Sequence, residues 1–401
     1  MSRRLLISAL PGETRAAWRE DGRLIDLAVR RDDKPSVADN LYLGRVRTVD
    51  KGLAAAFVDV GLRRPGFLPL GEAPKGLSEG DVVVVRVKRE PSADKGARLS
   101  ARLEALPPAL AEAARRAAPP ALLRAAADPV AAALAADRPP DEIAIDDPAT
   151  FARARQAAAG RPDLLARLRL DLDPVPLFER EGVEAEIEAL LEPRVALPSG
   201  GFLLIEPVRT LTAIDVDSGR HDAGGAAGQG LAVNLEAAAE IARQVRLRNL
   251  SGLLVVDFLT LDAPAARRRV VAALRQGLAA DPQPCRVHPM RPSGLVEMTR
   301  RRGRPPLHEL LSEPCGLGGG GRVKDPVTLA FEALRAARRI GAATGGALAI
   351  HAAPRVAEAL EGPAAEARVA LEARLGRPLV VRREGGREGF EIALVPTTTE
   401  R

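Results

Sequence analysis

Three aspartates carry the pattern most suggestive of chemistry. In Leu211-Thr-Ala-Ile-Asp-Val-Asp-Ser-Gly, the two-residue repeat of a strand sets Leu211, Ala213, Asp215 and Asp217 on one face and Thr212, Ile214 and Val216 on the other. A second apolar run, Leu253-Leu-Val-Val-Asp-Phe, closes on Asp257. Burying a carboxylate beside β-branched residues costs several kcal/mol unless a cation or donor meets it. Carboxylates from two neighbouring strand ends would form a hard oxygen site, suited to Mg²⁺ held by one or two of them with several waters retained. On pattern alone the commoner reading is that the same aspartates only cap the turns and helices that follow.

Basic and aromatic residues form a second group. Between the two acid-bearing strands the spacing predicts a helix from Asn234 to Arg248, with Asn234 as N-cap and Glu236 in the first turn; Leu235, Ala238, Ala242 and Val245 form its buried stripe. Arg243, Arg246 and Arg248 lie on its outer side, positioned for phosphate or simply for water. The segment Glu297-Met-Thr-Arg-Arg-Arg-Gly-Arg, which includes Arg300, concentrates four arginines in five positions and reads as a phosphate cluster or a solvated charge run. Aromatics are only 2% of the chain, so Phe57 and Phe67 on adjacent predicted strands stand out as base-stacking candidates, with Lys95, Arg98 and Arg45 to track a backbone. A strand Phe is also a common core residue.

These residues need a multidomain framework. Short apolar runs over residues 4 to 30, split at Pro11-Gly12 and Asp21-Gly22, predict a strand meander. Five strand-length units from Leu41 to about Leu103 suit a small closed barrel such as an OB fold. Residues 105 to 140 read as helices broken at Pro-Pro pairs, and 141 to 205 as an α/β unit able to pack with the meander. Residues 210 to 280 alternate strand and helix as a catalytic layer does, and the tail after the Gly316 to Gly321 run reads as a small α+β domain.

Bulk properties bound the partners. With 59 basic against 53 acidic residues the chain carries +6, which fits a polyanion, although the arginine and alanine content reflects composition as well. Two cysteines, Cys285 and Cys315, build no disulfide framework, and no apolar run matches a signal peptide or membrane span. A cytoplasmic protein with no membrane partner is expected.

Several motifs together resemble the bacterial ribonuclease E/G family. Asn40-Leu-Tyr-Leu-Gly-Arg-Val, Ala55-Ala-Phe-Val-Asp-Val-Gly, Gly66-Phe-Leu-Pro and Lys95-Gly-Ala-Arg-Leu are similar to its S1-like OB domain. Leu197-Pro-Ser-Gly-Gly, Leu211 through Arg220, Asn234-Leu-Glu-Ala-Ala, Ile241 through Arg248, Val256-Asp-Phe and Gly294-Leu-Val-Glu-Met-Thr-Arg are similar to its catalytic core. The resemblance spans most of the chain, in order.

It implies an α/β multidomain architecture: an S1-like OB barrel inserted in an RNase H-like scaffold, then a DNase I-like α/β catalytic domain and a small α+β C-terminal domain. The implied boundaries are 1–37 and 141–205 for the scaffold, 38–104 for the RNA-binding barrel, and 105–140 for connecting helices in a reduced 5′ sensor region. The catalytic domain takes 206–310, a degenerate zinc link 311–325, and the C-terminal domain 326–401. The implied activity is Mg²⁺-dependent endonucleolytic hydrolysis of single-stranded RNA, in rRNA or tRNA processing or mRNA turnover. Asp215 and Asp257 would be the metal ligands, Asp217 the third catalytic residue where the family commonly has Asn, and Phe57 and Phe67 the base-stacking pair. RNA contacts would also come from Lys95, Arg98, Arg243, Arg246 and Arg300.

Departures from the pattern are Arg209 in place of the usual Glu, a loop from Asp222 to Gly230 without lysines, and the missing segment after the barrel. In Ser312-Glu-Pro-Cys-Gly-Leu-Gly only Cys315 remains of the family's zinc motif, so zinc is not expected and any homo-oligomer would form without that link. The altered positions leave open a catalytically weak RNA-binding scaffold protein of the same fold.

Overall fold

The computed structural model describes residues 2–394 except 92–94, 104, 127, 137–138, 209, 220–226, 317–320 and 345, with no side-chain description for 227–229. Arg209 and residues 222–226 of the loop therefore lie outside the described residues.

Among the described residues the chain is a mixed α/β assembly of five sheets. The N-terminal sheet has the strand order Leu168–Leu170, Glu142–Ile145, Arg3–Leu10, Glu13–Glu20, Arg23–Arg31. Arg3–Leu10 runs parallel to Glu142–Ile145, with Leu5 opposite Ile143 and Ile7 opposite Ile145. Its near-continuous apolar run follows from burial on both faces: Leu6 faces one core, while Leu5 and Ile7 face another.

The barrel comprises Leu41–Asp50, Ala55–Asp59, Gly66–Pro69, Val82–Arg89 and Arg98–Ser100, and closes because Leu41–Asp50 pairs with both Ala55–Asp59 and Val82–Arg89. Gly66 permits the closure, since a Cβ there would sit 2.4 Å from Leu99 Cδ1. The region expected to be purely helical, 105–140, departs from that reading. Between the helices Pro108–Arg116 and Pro129–Leu134, residues Ala121–Arg124 form a strand that pairs antiparallel with Leu41–Asp50. The alanine-rich composition concealed an extended segment whose hydrogen bonds go to a strand some eighty residues away.

The acid-bearing sheet has the order Arg194–Ala196, Phe202–Pro207, Thr212–Asp217, Gly252–Asp257, Leu295–Arg300, Cys285–Val287. The helices Ala227–Leu247 and Pro264–Leu278 cover one face, where Ile214, Val216, Leu254, Val256, Val296 and Met298 meet Ile241, Val245, Val270 and Leu274. This corrects the 141–205 boundary. Arg194–Ala196 and Phe202–Pro207 belong to the acid-bearing sheet, with Leu204 opposite Asp215, whereas Glu142–Ile145 and Leu168–Leu170 do join the N-terminal sheet.

The last sheet, Leu379–Arg383, Leu348–Ala352, Phe390–Leu394, packs with the helices Pro326–Ala343, Pro354–Glu361 and Ala365–Leu375. Ser312–Pro314 and Arg322–Lys324 form a two-stranded link before it. Among the described residues no helix is long and apolar enough to cross a membrane.

Candidate active site

Burial along Thr212–Asp217 alternates strictly. Thr212, Ile214 and Val216 enter the core while Ala213, Asp215 and Asp217 face away from it. Gly252–Asp257 behaves likewise, with Leu254 and Val256 inside and Asp257 exposed. The two strands are parallel neighbours, and their register sets Asp215 directly opposite Asp257, about 4.8 Å apart at the backbone for adjacent strands. The expectation of carboxylates buried among β-branched residues is therefore corrected: the apolar neighbours point to the opposite face and the acids meet solvent.

The electrostatics of this pair are set by like charges. Partial burial and then the Asp257 and Asp217 carboxylates push the Asp215 carboxyl above its usual range, with the Val216 backbone N–H opposing them. Among the described residues no lysine or arginine forms a salt bridge with Asp215, Asp217 or Asp257. Asp217 instead accepts a hydrogen bond from Gly219 N at 2.7 Å. The turn after it is tight: Gly219 has φ +71° and a Cβ there would lie 2.2 Å from Gly200 O.

The Asp257 end is fixed from two sides. Phe258 N donates to Gly294 O at 3.3 Å, and Gly294, at φ +97°, approaches so closely that a Cβ would lie 2.3 Å from Phe258 O. From the core side, Asn234 holds Leu259 reciprocally, donating to its carbonyl at 2.8 Å and accepting from its N–H at 3.0 Å. Asn234 is thus not an N-cap. The helix begins at Ala227, and Asn234 is a fully buried side chain inside it that locks the loop after Asp257. Glu236, expected merely to suit the helix dipole, accepts from Ser199 N at 3.0 Å.

Two carboxylates on adjacent strand ends, facing solvent together and without a paired lysine or arginine among the described residues, are a donor set that fits a small hard metal ion. Among the described residues no three ligating side chains are already drawn into a coordination shell.

The basic candidates divide. Arg243 donates to Leu24 O, Glu240 and Glu186, and Arg246 to Asp26 and Ala280 O, so both tie the helix to neighbouring elements. Arg248 is buried and bonds Gln244; burial lowers its guanidinium to about 10. Arg300 is buried, spanning Asp281, Asn249 Oδ1 and Leu250 O at 2.8–3.0 Å. The outer-face reading of these arginines is corrected: each bonds groups within the protein, Arg243, Arg246 and Arg300 to other elements and Arg248 to Gln244 one turn away, while Arg246 Nε is buried without a partner among the described residues.

In the barrel, Phe57 and Phe67 are paired directly across Ala55–Asp59 and Gly66–Pro69, edge to face with centroids 6.0 Å apart. Both are partly exposed, whereas their strand neighbours Ala56, Val58 and Leu68 form the core. Arg98 is in register with Phe67 and bonds Glu72 at 3.2 Å; Lys95 is exposed, as is Arg45, which donates to Gly80 O. The structure thus gathers Phe57, Phe67 and Arg98 on one barrel surface, and Asp215, Asp217 and Asp257 on one sheet face.

A protein-family model described as the ribonuclease E/G family matches residues 77–303. Ribonuclease G of Salmonella typhimurium (strain SL1344) is 28% identical, across 98% of this chain and 100% of that protein. Ribonuclease G of Escherichia coli (strain K12) is likewise 28% identical over the same shares. Ribonuclease E of Escherichia coli (strain K12) is 31% identical across 84% of this chain, which spans only 40% of that longer protein. With the family match covering more than half of the 401 residues, both faces of the barrel's last strands and the whole acid-bearing core, the chain belongs to the ribonuclease E/G family.

Proposed function

We propose that this protein is an endoribonuclease that hydrolyses single-stranded RNA at the Asp215–Asp257 face, with Mg²⁺ as the cation. The observation that carries this reading is the register pairing of two solvent-facing carboxylates that no lysine or arginine among the described residues neutralises. The names of the relatives, ribonucleases G and E, agree with it. In the same reading the N-terminal sheet is the RNase H-like scaffold and the acid-bearing sheet the DNase I-like catalytic layer, now including residues from Arg194 onward.

When bound, a hydrated Mg²⁺ supplies positive charge at the scissile phosphate and an acidified water. The chain's own part is positional. Asp215 and Asp257 would ligate the ion from adjacent strand ends, their separation kept by the sheet register and by the Asn234–Leu259 lock. Asp217, restrained by Gly219 N, would accept a proton-bearing donor such as an ordered water. Phe57 and Phe67 offer partly exposed ring surface on which a base can stack, and Lys95 and Arg98 lie near to track the backbone. Arg243, Arg246 and Arg300 are left out of this RNA contact set because each ties its element to a carboxylate elsewhere in the protein.

Incubating purified protein with an end-labelled single-stranded RNA tests the reading. Internal cleavage with Mg²⁺, abolished by chelator and restored by excess Mg²⁺, is expected. Binding without cleavage under every metal condition would favour the RNA-binding scaffold instead.

A further inference from the structure

We propose that Phe202, with the Arg194 guanidinium lying over its ring, forms a nucleobase-binding subsite next to the cut phosphate, on the side of the acids away from the barrel. This deepens the ribonuclease reading and rests on it.

The packing of the aromatic residues sets Phe202 apart. Of the eight phenylalanines in the chain, Phe178, Phe258 and Phe331 are buried in cores, and Phe151 and Phe390 pack against cores. Trp18 and Tyr42 are likewise taken up by cores. Among the described residues three phenylalanines join no core: Phe57 and Phe67, which form the barrel's pair, and Phe202. A ring left partly in water forgoes some of the stabilisation that burial gives and keeps surface for a ligand.

Sheet register sets this third ring beside the acids. Along Phe202–Pro207, Leu203 and Ile205 enter the core, so Phe202 and Leu204 share the face of Asp215 and Asp217. Phe202 is directly opposite Asp217 and diagonal to Asp215, about 5 Å and about 7 Å away at Cβ for such pairs. Gly201 lets the two strands close up here, since a Cβ on it would lie 2.5 Å from Asp217 O. On the other side Phe202 faces Ala196 of the edge strand Arg194–Ala196, which is too small to cover a ring. The Arg194 guanidinium covers it instead, with Cζ 4.0 Å from the ring centroid. Arg194 is exposed and pairs with no carboxylate among the described residues, so its outer plane is free. Aromatic rings and guanidinium planes are the surfaces on which unstacked RNA bases are held.

The subsite lies at the far end of the strands from the barrel. Pro207 and Thr212 line a cavity together with Arg89 and Lys95 of the barrel. Phe202 is five residues from Pro207, roughly 17 Å at about 3.4 Å per residue. Asp215 and Asp257 are level with Leu204, between those two ends. A strand leaving the barrel therefore reaches Phe202 only after passing the acids, and the base held there belongs to the flank of the cut that the barrel does not grip.

The test is cleavage at subsaturating enzyme, with Mg²⁺, of a single-stranded oligoribonucleotide with one mapped cut. Copies of it carry an abasic nucleotide on either side of the cut or far from it. For the parent, losing the base on one side of the cut should slow cleavage about 5- to 150-fold, the range for one stacked base. Phe202→Leu, which keeps an apolar side chain without a ring, should lose that factor on the intact strand and nothing further on the abasic one. Phe202→Tyr should restore it, and Arg194→Gln should lose part of it. A Phe202→Leu protein slowed equally on every strand would mark the ring as structural and overturn the proposal. So would an abasic effect that Phe202→Leu leaves in place, because another residue would then hold the base. The parent alone suffices if a variant fails to fold: equal cleavage of intact and flank-abasic strands means that no base is bound beside the cut. A parent that cleaves no RNA would refute the ribonuclease reading with it.

Discussion

Two groups of acids in this protein are arranged in opposite ways. Where the N-terminal sheet meets the C-terminal domain, Glu13, Asp146 and Glu184 are interleaved with Arg15, Arg335 and Arg338: Arg15 reaches Glu184 at 2.6 Å and Glu13 at 3.7 Å, Arg335 bonds Glu13, and Arg338 lies 3.3 Å from Asp146. At the acid-bearing sheet, Asp215, Asp217 and Asp257 lie close together at the solvent-facing strand ends with no such partner among the described residues. The neighbouring charges therefore act with opposite sign. In the first group burial raises the carboxyl of Asp146 but every charged neighbour lowers it, and Arg15 brings Glu184 down to about 2. In the second, burial and the neighbouring acids both raise Asp215. Carboxylates matched inside the protein tie the N-terminal sheet to the C-terminal helix Pro326–Ala343; those at the solvent-facing strand ends have no cationic partner among the described residues.

The largest expected effect breaks the unmatched group. Asp257→Asn removes one of two charges on which a metal site depends, and several kcal/mol of transition-state stabilisation correspond to roughly a 10³-fold slower cleavage. RNA affinity measured in chelator should remain that of the parent, because the barrel is untouched. Parent-like cleavage by this variant would show the acids to be turn-formers only.

Breaking the matched group should act on stability. Arg15→Met leaves Glu184 without its guanidinium while Glu13 keeps Arg335, a loss of about 3–5 kcal/mol for one partner of a buried pair, read by urea unfolding. Glu184 titrates near 2 when folded against 4.5 as its ordinary value, so its contribution is complete above about pH 4.5 and is lost as pH falls towards about 2. Asp146, raised by burial, works in the other direction as pH rises past its ordinary 3.8. The Arg15→Met variant should lose the Glu184 part of the acid sensitivity. An unfolding curve that coincides with the parent's from pH 2 to 7 would mean that the pair adds nothing.

A smaller effect sharpens the comparison by separating binding from chemistry. Phe57→Ala removes one face of the aromatic pair, about 1–3 kcal/mol per stacked base, or roughly 5- to 150-fold in Kd. The cleavage rate at saturating RNA should change little. No change in Kd would assign the rings to barrel packing.

What the sequence made legible follows from the range of each interaction. The alternation of Thr212, Ile214 and Val216 with Asp215 and Asp217 is local, so the face carrying the acids could be read directly, as could the strand-length units of the barrel. Partners distant in the chain could not. Arg246 meets Asp26, and Arg300 meets Asp281 beside Asn249 Oδ1, so residues resembling a phosphate-gripping face serve as internal ties. Asn234 was misplaced for a related reason. Its preference for helix starts is a local property, whereas its two bonds to Leu259 exist only once the strand ending at Asp257 has packed beneath the helix. Phe202–Pro207 carries no sign of which sheet it joins, because membership is decided by pairing with Thr212–Asp217.

The claim at the centre of this account is that Asp215 and Asp257 are unmatched because a divalent cation completes them. Calorimetric titration of Mg²⁺ into the RNA-free protein, beside the Asp215→Asn/Asp257→Asn variant, measures this without reference to activity. The account predicts saturable binding of one ion or more by the parent and loss of at least one site in the variant, with an unchanged unfolding midpoint or a higher one in the absence of metal as the repulsion between the acids disappears. Identical Mg²⁺ isotherms for the two proteins would contradict it.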